Sequence, residues 1–125
     1  ATRNGHVLYA SSRTQLAGSR VPADSVPRID SDLVAVDKPN SIALRIAMVG
    51  ANAADLLATI RWGFEWDIAA ATLIAREAGA AVTDVFGQPI SYNKRDPRAF
   101  GLLVTAPAIH AAAVERLAER AAKFS

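Results

Sequence analysis

The stretch from Ile68 to Ala78 is interrupted by polar side chains only at Thr72, Arg76 and Glu77. Wound into a helix, it presents apolar groups on nearly every side, so most of its surface must be covered by other elements. The chain therefore has to fold around this helix, and the flanking sequence offers short strands and further helices as cover. With 125 residues and 13.2 kDa there is room for one domain with its own core. The 51% hydrophobic and 21% charged content fits a globular protein, since a disordered segment lacks the apolar groups to offset its chain entropy.

Periodicity orders the elements. Val7 to Ala10 reads as a strand running into the polar loop Ser11 to Thr14, and Pro22 and Pro27 keep the chain irregular to about Ser31. Leu33 to Val36 reads as a second strand, stopped by Pro39. Ile42, Ile46 and Val49 then recur at helical spacing, with Asn40 or Ser41 as N-cap and Gly50 as the exit. Ala54 to Ile60 reads as a strand with Leu56, Ala58 and Ile60 on one face. Arg61 to Trp66 reads as a loop, Asp67 stands at the N-cap of the apolar helix, and Gly79 closes it. Ala81 to Val85 is a strand, Gly87 to Pro89 a turn and Asn93 to Arg98 a polar loop. Leu102 to Thr105 is a last strand, and a final helix opens at Pro107 with Ile109, Val114, Leu117 and Ala121 on one face. The expected fold class is mixed α/β (α+β), a central sheet with flanking helices.

Several function classes drop out. Cysteine is absent, which removes disulfides, thiolate catalysis and thiolate-bound zinc and permits a reducing, cytoplasmic location. The 14 Lys and Arg against 12 Asp and Glu leave a net +2, with signs interspersed, so no nucleic acid polymer is expected as partner. Asp55, Arg61, Glu65 and Asp67 interrupt the longest apolar region, and no membrane span is expected. Ala1 to His6 shows neither an initiating Met nor a signal-peptide pattern, and the chain reads as a piece of something longer.

The richest segment for chemistry is Arg61 to Asp67, with two Trp, a Phe, a Gly and two acids between a strand and a helix. Asp67 suits both helix capping and metal ligation, and a carboxylate has lone pairs enough for both. His6 and His110 have no partner at ligand spacing and are expected at the surface. Neither a glycine-rich phosphate loop nor a nucleophile elbow occurs, and Lys94, Arg95 and Arg98 read as a solvated loop.

Ala54-Asp55, then Glu65 to Ala70, then Glu77-Ala78-Gly79 resemble the second signature of the inositol monophosphatase superfamily, W-D-x-A-A-G followed by E-A-G-G. That superfamily includes inositol monophosphatases, fructose bisphosphatases and 3'(2'),5'-bisphosphate nucleotidases. Ala71 and Ala80 depart from its glycines, each adding a methyl group where backbones or substrate pass closely. The resemblance spans nearly the whole chain but only the C-terminal half of the family's proteins. The Glu-Glu pair and the D-P-[IL]-D-G-[ST] motif of the other half are absent, the one Asp96-Pro97 continuing as Arg98-Ala99.

The resemblance implies the C-terminal subdomain of a layered sugar-phosphatase fold. It implies a Mg²⁺-dependent phosphomonoesterase, homodimeric when complete, in which Asp67 is a catalytic metal ligand at a helix N-terminus and Ser12, Arg13, Asn40, Ser41 and Arg45 face the small phosphate-ester substrate. One carboxylate cannot hold the ion cluster such hydrolysis needs, so the chain alone is expected to be inactive. Glu65-Trp66, Tyr92-Asn93-Lys94 and Arg45, where nucleotidases carry Lys, resemble the bisphosphate nucleotidase branch. Ser-Ser-Arg-Thr is similar to the inositol monophosphatase branch. A non-catalytic binding or assembly module that retains the fold is the alternative from another class.

Overall fold

The computed structural model describes residues 2–64, 68–90 and 98–124. In chain order its elements are β1 (Thr2–Arg3), β2 (His6–Val7), β3 (Arg20–Pro22), β4 (Val34–Val36), α1 (Ile42–Gly50), β5 (Leu56–Phe64), α2 (Ala69–Glu77), β6 (Ala81–Thr83), β7 (Arg98–Thr105) and α3 (His110–Phe124). Short 3₁₀ turns stand at Arg28–Asp30 and Pro107–Ile109. This is the expected mixed α/β class.

Among the described residues the sheets are a β1–β2 antiparallel pair, a β3–β4 parallel pair and an antiparallel β5–β7–β6 sheet. The three-stranded sheet organises the core because its pleat alternates between two apolar sets. Leu57, Leu102 and Val104 join Ile46 and Val49 of α1 and Ala71 and Ala75 of α2. Leu56, Ala58 and Leu103 face the other way, toward Ala113, Leu117 and Ala121 of α3. The face predicted for Leu56, Ala58 and Ile60 is therefore the α3 face. Gly50 brings α1 against α2, where a Cβ would lie 3.3 Å from Ala75 Cα.

Several boundaries differ from expectation. β2 ends at Val7, and the chain leaves it with Tyr9 70% exposed and Ala10 N–H bonded to Ala78 O at 2.8 Å. The irregular stretch contains β3, paired in register Arg20↔Val34 to Pro22↔Val36; a strand this short leaves no periodic signal. Gly50 is the last residue of α1 and Ala51 its C-cap. The segment from Arg61 to Phe64 is strand, drawn out by pairing with Arg98 to Phe100. Two residues of β5, Ile60 and Arg61, there stand against one of β7, Gly101, which is a bulge. Gly101 has φ +74°, and a Cβ would collide with Val85 Cγ1.

The helix that should be buried on most of its surface is covered on one face. Ala71, Thr72, Ala75 and Ala78 are buried, whereas Leu73 and Ile74 are 57% and 42% exposed. Its N-cap is Ile68, one position beyond Asp67 and without a side-chain cap bond. β6 stops at Thr83 because Asp84 turns the chain, its Oδ1 accepting from Phe86 N–H and Gln88 N–H at 2.9 Å. Pro107 opens a 3₁₀ turn, and α3 buries Leu117 and Ala121 as expected.

Candidate functional site

The predicted substrate residues fall into two groups at opposite ends of α1. Ser41 caps its N-terminus, the hydroxyl accepting from Leu44 N–H at 3.2 Å. One turn in, Arg45 folds back and donates from Nε to Pro39 O and from Nη2 to Asn40 O, both at 2.8 Å. Asn40 thus enters through its carbonyl, and Arg45 is a fixed cation on a stiffened corner. Beside it opens a cavity of about 360 Å³, bordered by Arg45, Lys38, Ser25 and Asp24 over an apolar floor of Val21 and Leu57. Lys38 Nζ stands 3.7 Å from an Asp24 carboxylate that is 87% exposed, a pairing of small worth in water.

Ser12 and Arg13 border a more polar cavity of about 460 Å³, together with Gln15, Arg20, Asn52 and Asp55. Asn52 follows the C-terminus of α1, whose nine residues rise about 13 Å. The structure therefore brings Asn40, Ser41 and Arg45 together, and Ser12 with Arg13, but not the two sets with each other. Ser12 is exposed. Arg13 is used by its own loop: Nη2 donates to Ala17 O at 2.9 Å, and a Cβ on Gly18 (φ +82°) would collide with that nitrogen. Its Nε is buried with no partner among the described residues.

The centre of this cavity is a residue the sequence reading did not select. Asp55 is 2% exposed and accepts from Arg20 N–H at 2.8 Å, from Arg20 Nε at 3.0 Å and, on its other oxygen, from Arg20 Nη2 at 3.0 Å. Arg20 continues to Asn52 O at 3.0 Å and Asn52 Oδ1 at 2.6 Å. Burial alone would raise the Asp55 pKa; hydrogen bonds from Arg20 and the Ser11 hydroxyl outweigh it and bring it down to about 2. The same pairing raises Arg20. An acid at the head of an apolar strand was the available signal, since a buried carboxylate must be paired.

Asp67, on which the metal reading rests, lies outside the described residues, as do Glu65, Trp66, Tyr92, Asn93 and Lys94. Among the described residues no group of three or more His, Asp or Glu is placed to hold a metal ion. The paired carboxylates do not fit Mg²⁺: Asp30 and Asp32 are held by Arg120 and Arg116, Asp55 by Arg20, and Asp84 by backbone amides. His6 is exposed as expected. His110 corrects the surface reading, its ring standing between Thr83 Oγ1 and Thr105 Oγ1. No helix of the described residues is long and apolar enough to cross a membrane.

Comparison with known proteins gives this arrangement a family. Residues 4–123 match the model of the inositol monophosphatase family. The chain is 34% identical over 104 residues to inositol monophosphatase 2 of Rattus norvegicus, and equally to that of Mus musculus; the aligned stretch is 70% of this chain and 35% of those proteins. Among solved structures, the Thermotoga maritima IMPase superposes with a TM-score of 0.73 at 23% identity over 98% of this chain and 49% of that one. The staphylococcal IMPase-II, solved with inositol monophosphate and with 2'-AMP bound, superposes with TM-scores of 0.76 and 0.77 at 17% identity, over 98% of this chain and 52% and 50% of those chains. The chain thus spans about half the length of these solved neighbours and a third of the curated relatives. With a family match running nearly end to end and a shared fold, the chain belongs to the inositol monophosphatase family.

Proposed function

We propose that this chain is the C-terminal part of a longer Mg²⁺-dependent phosphomonoesterase, cytoplasmic and homodimeric when complete, that acts on 3'(2'),5'-bisphosphate nucleotides. The observation that carries the substrate class is the cationic corner at the N-terminus of α1. Arg45 is held there by Pro39 O and Asn40 O, and Lys38 is only loosely engaged by Asp24. Such a corner suits a second phosphate, because a fixed guanidinium and an ammonium both donate charge-assisted bonds to phosphate oxygens. Ser41 stiffens the helix end beneath it, and Ser12 and Arg13 border the polar cavity toward the sugar.

Asp67 contributes a metal-binding carboxylate in this reading, and the remaining ligands come from a segment outside this chain. Bound Mg²⁺ supplies an activated water and neutralises charge on the phosphoryl group. A second reading, an inositol monophosphatase, is favoured by the 34% identity to proteins named inositol monophosphatase 2 and by the Ser-Ser-Arg-Thr loop.

The test is to read the coding frame upstream of Ala1 for a Glu-Glu pair and a D-P-x-D-G-[ST] segment, and to assay the complete protein with Mg²⁺. Phosphate release from adenosine 3',5'-bisphosphate well above that from inositol 1-phosphate is expected. The reverse preference supports the second reading, and hydrolysis of neither leaves a binding or assembly module and overturns both.

A further inference from the structure

Two threonines at the ends of neighbouring strands hold one imidazole. Thr83 closes β6, Thr105 closes β7 and His110 opens α3. Nε2 of His110 lies 2.8 Å from Thr83 Oγ1, and Nδ1 lies 3.0 Å from Thr105 Oγ1. Each hydroxyl also sits against a backbone carbonyl, Thr83 Oγ1 at 2.7 Å from Asp84 O and Thr105 Oγ1 at 2.8 Å from Ala106 O. Carbonyl oxygens only accept, and a hydroxyl has one proton to give. If both threonines donate to carbonyls, both ring nitrogens must carry hydrogen, which is the imidazolium. A neutral ring has one N–H, so one threonine must turn its proton from the carbonyl to the ring.

The surroundings decide the charge state. Burial pushes the His110 pKa down, and among the described residues no charged group adds to or offsets that shift. The ring also stands at the N-terminal end of α3, where the helix dipole disfavours a cation. Of the groups around it, Thr83 and Thr105 are uncharged, as are Ala113 and Val114 one turn along α3. Asp84, beside Thr83, has Oδ1 engaged by Phe86 N–H and Gln88 N–H. The neutral ring is therefore the form at pH 7.

Burial also decides which threonine turns. Thr105 and Ala106 are both 0% exposed, and among the described residues Ala106 O then keeps a single 3.3 Å bond, from Ile109 N–H, so losing the Thr105 proton there is costly. Asp84 is half-buried, and its carbonyl keeps a 3.0 Å bond from Gly87 N–H. We propose that His110 is a proton-operated latch between α3 and the turn at residues 84–88. In the neutral state Nδ1–H donates to Thr105 and Nε2 accepts the Thr83 hydroxyl proton. Proton uptake at Nε2 reverses that bond, Thr83 turns to Asp84 O, and an unbroken relay then runs from the start of α3 to the turn. This latch is independent of the substrate reading.

The test is ¹⁵N NMR of the imidazole in this chain between about pH 8 and pH 5, with the Gly87 and Gln88 amides followed alongside. At neutral pH hydrogen is expected on Nδ1 alone. On acidification both nitrogens should be protonated with a midpoint below 6.5, the ordinary value, and the Gly87 amide should move with it. Thr83→Val should keep the Nδ1–H form and uncouple Gly87 from the titration, and Thr83→Ser should restore the coupling. Hydrogen on Nε2 at neutral pH, a midpoint at or above 6.5, or a Gly87 amide indifferent to the ring would each overturn the latch.

Discussion

The two faces of the β5–β7–β6 sheet are covered unequally. On one, α3 sinks Ala113, Leu117 and Ala121 against Leu56, Leu103 and Val85, and its charged side is pinned at the edge. Arg116 reaches Asp32 at 2.6 and 2.7 Å, and Arg120 reaches the 91%-buried side chain of Asp30 at 2.8 and 2.9 Å. On the other, α1 turns Ile46 and Val49 inward and α2 turns Ala71 and Ala75 inward, and the two helices leave Leu44 and Leu73 53% and 57% exposed. On the first face the inward residues of α3 are covered by this chain, Ala113, Leu117 and Ala121 being 1%, 7% and 0% exposed. The second has an apolar outer face at Leu44, Leu73 and Ile74.

That contrast is broken most directly by removing one leucine from each side. Leu117→Ala should cost about 3 kcal/mol, because the cavity it leaves is enclosed by sheet and helix. Leu73→Ala should stay within about 0.5 kcal/mol, as at an exposed position. Thermal unfolding of both variants checks this, and equal losses would mean that the second face is covered too.

The Arg20–Asp55 pair ties β3 to the start of β5 beneath the polar cavity. Arg20→Ala leaves a buried carboxylate without its cation, and a loss of about 3 kcal/mol is expected. The pH dependence carries a sign. Asp55 has its folded pKa lowered to about 2 from 3.8, so its contribution is complete above about pH 4 and disappears as pH falls toward 2. In Arg20→Ala the guanidinium is gone and burial is opposed only by the Ser11 hydroxyl and the backbone N–H at position 20, so the Asp55 pKa rises and the melting-temperature gap between the two proteins should narrow on acidification. A gap that widens would show that the pair does not set the Asp55 titration.

At the α2 end, Asp67→Asn in the complete enzyme should lower turnover by about a hundredfold, the scale on which a positioned electrostatic group acts, while metal-free melting barely moves. Steady-state assays across Mg²⁺ concentration decide it, and unchanged turnover at limiting Mg²⁺ would remove Asp67 from the metal site. The smallest expected effect is on association. This chain should self-associate weakly through the outer face of α1 and α2, and Leu73→Lys should suppress that in sedimentation velocity. A compact monomer at high concentration without the substitution would count against the open face.

Much of this architecture was legible because it rests on local repetition. A two-residue period placed Leu56, Ala58 and Ile60 on one face, and helical spacing placed Ile46 with Val49 and Leu117 with Ala121, because backbone geometry alone sets those alignments. The family signature was equally local, a run of residue types at fixed intervals around Asp67. Of the site residues, Ser41 was readable as a cap, since a side-chain oxygen at that position meets a free N–H three residues on.

What the sequence left open depends on partners distant along the chain. Arg61 to Phe64 is strand because Arg98 to Phe100 lies alongside, and β3 exists because Val34 to Val36 pairs with it. The same holds for chemistry. Arg20 and Asp55 are 35 residues apart, and Thr83 and His110 are 27 apart; neither pair shares a motif. Periodicity shows that a residue faces inward, but which group it meets there is set by how strands and helices stack. The tertiary structure alone therefore made a buried acid into the anchor of the polar cavity, and an apparent surface histidine into the junction of two strands and a helix.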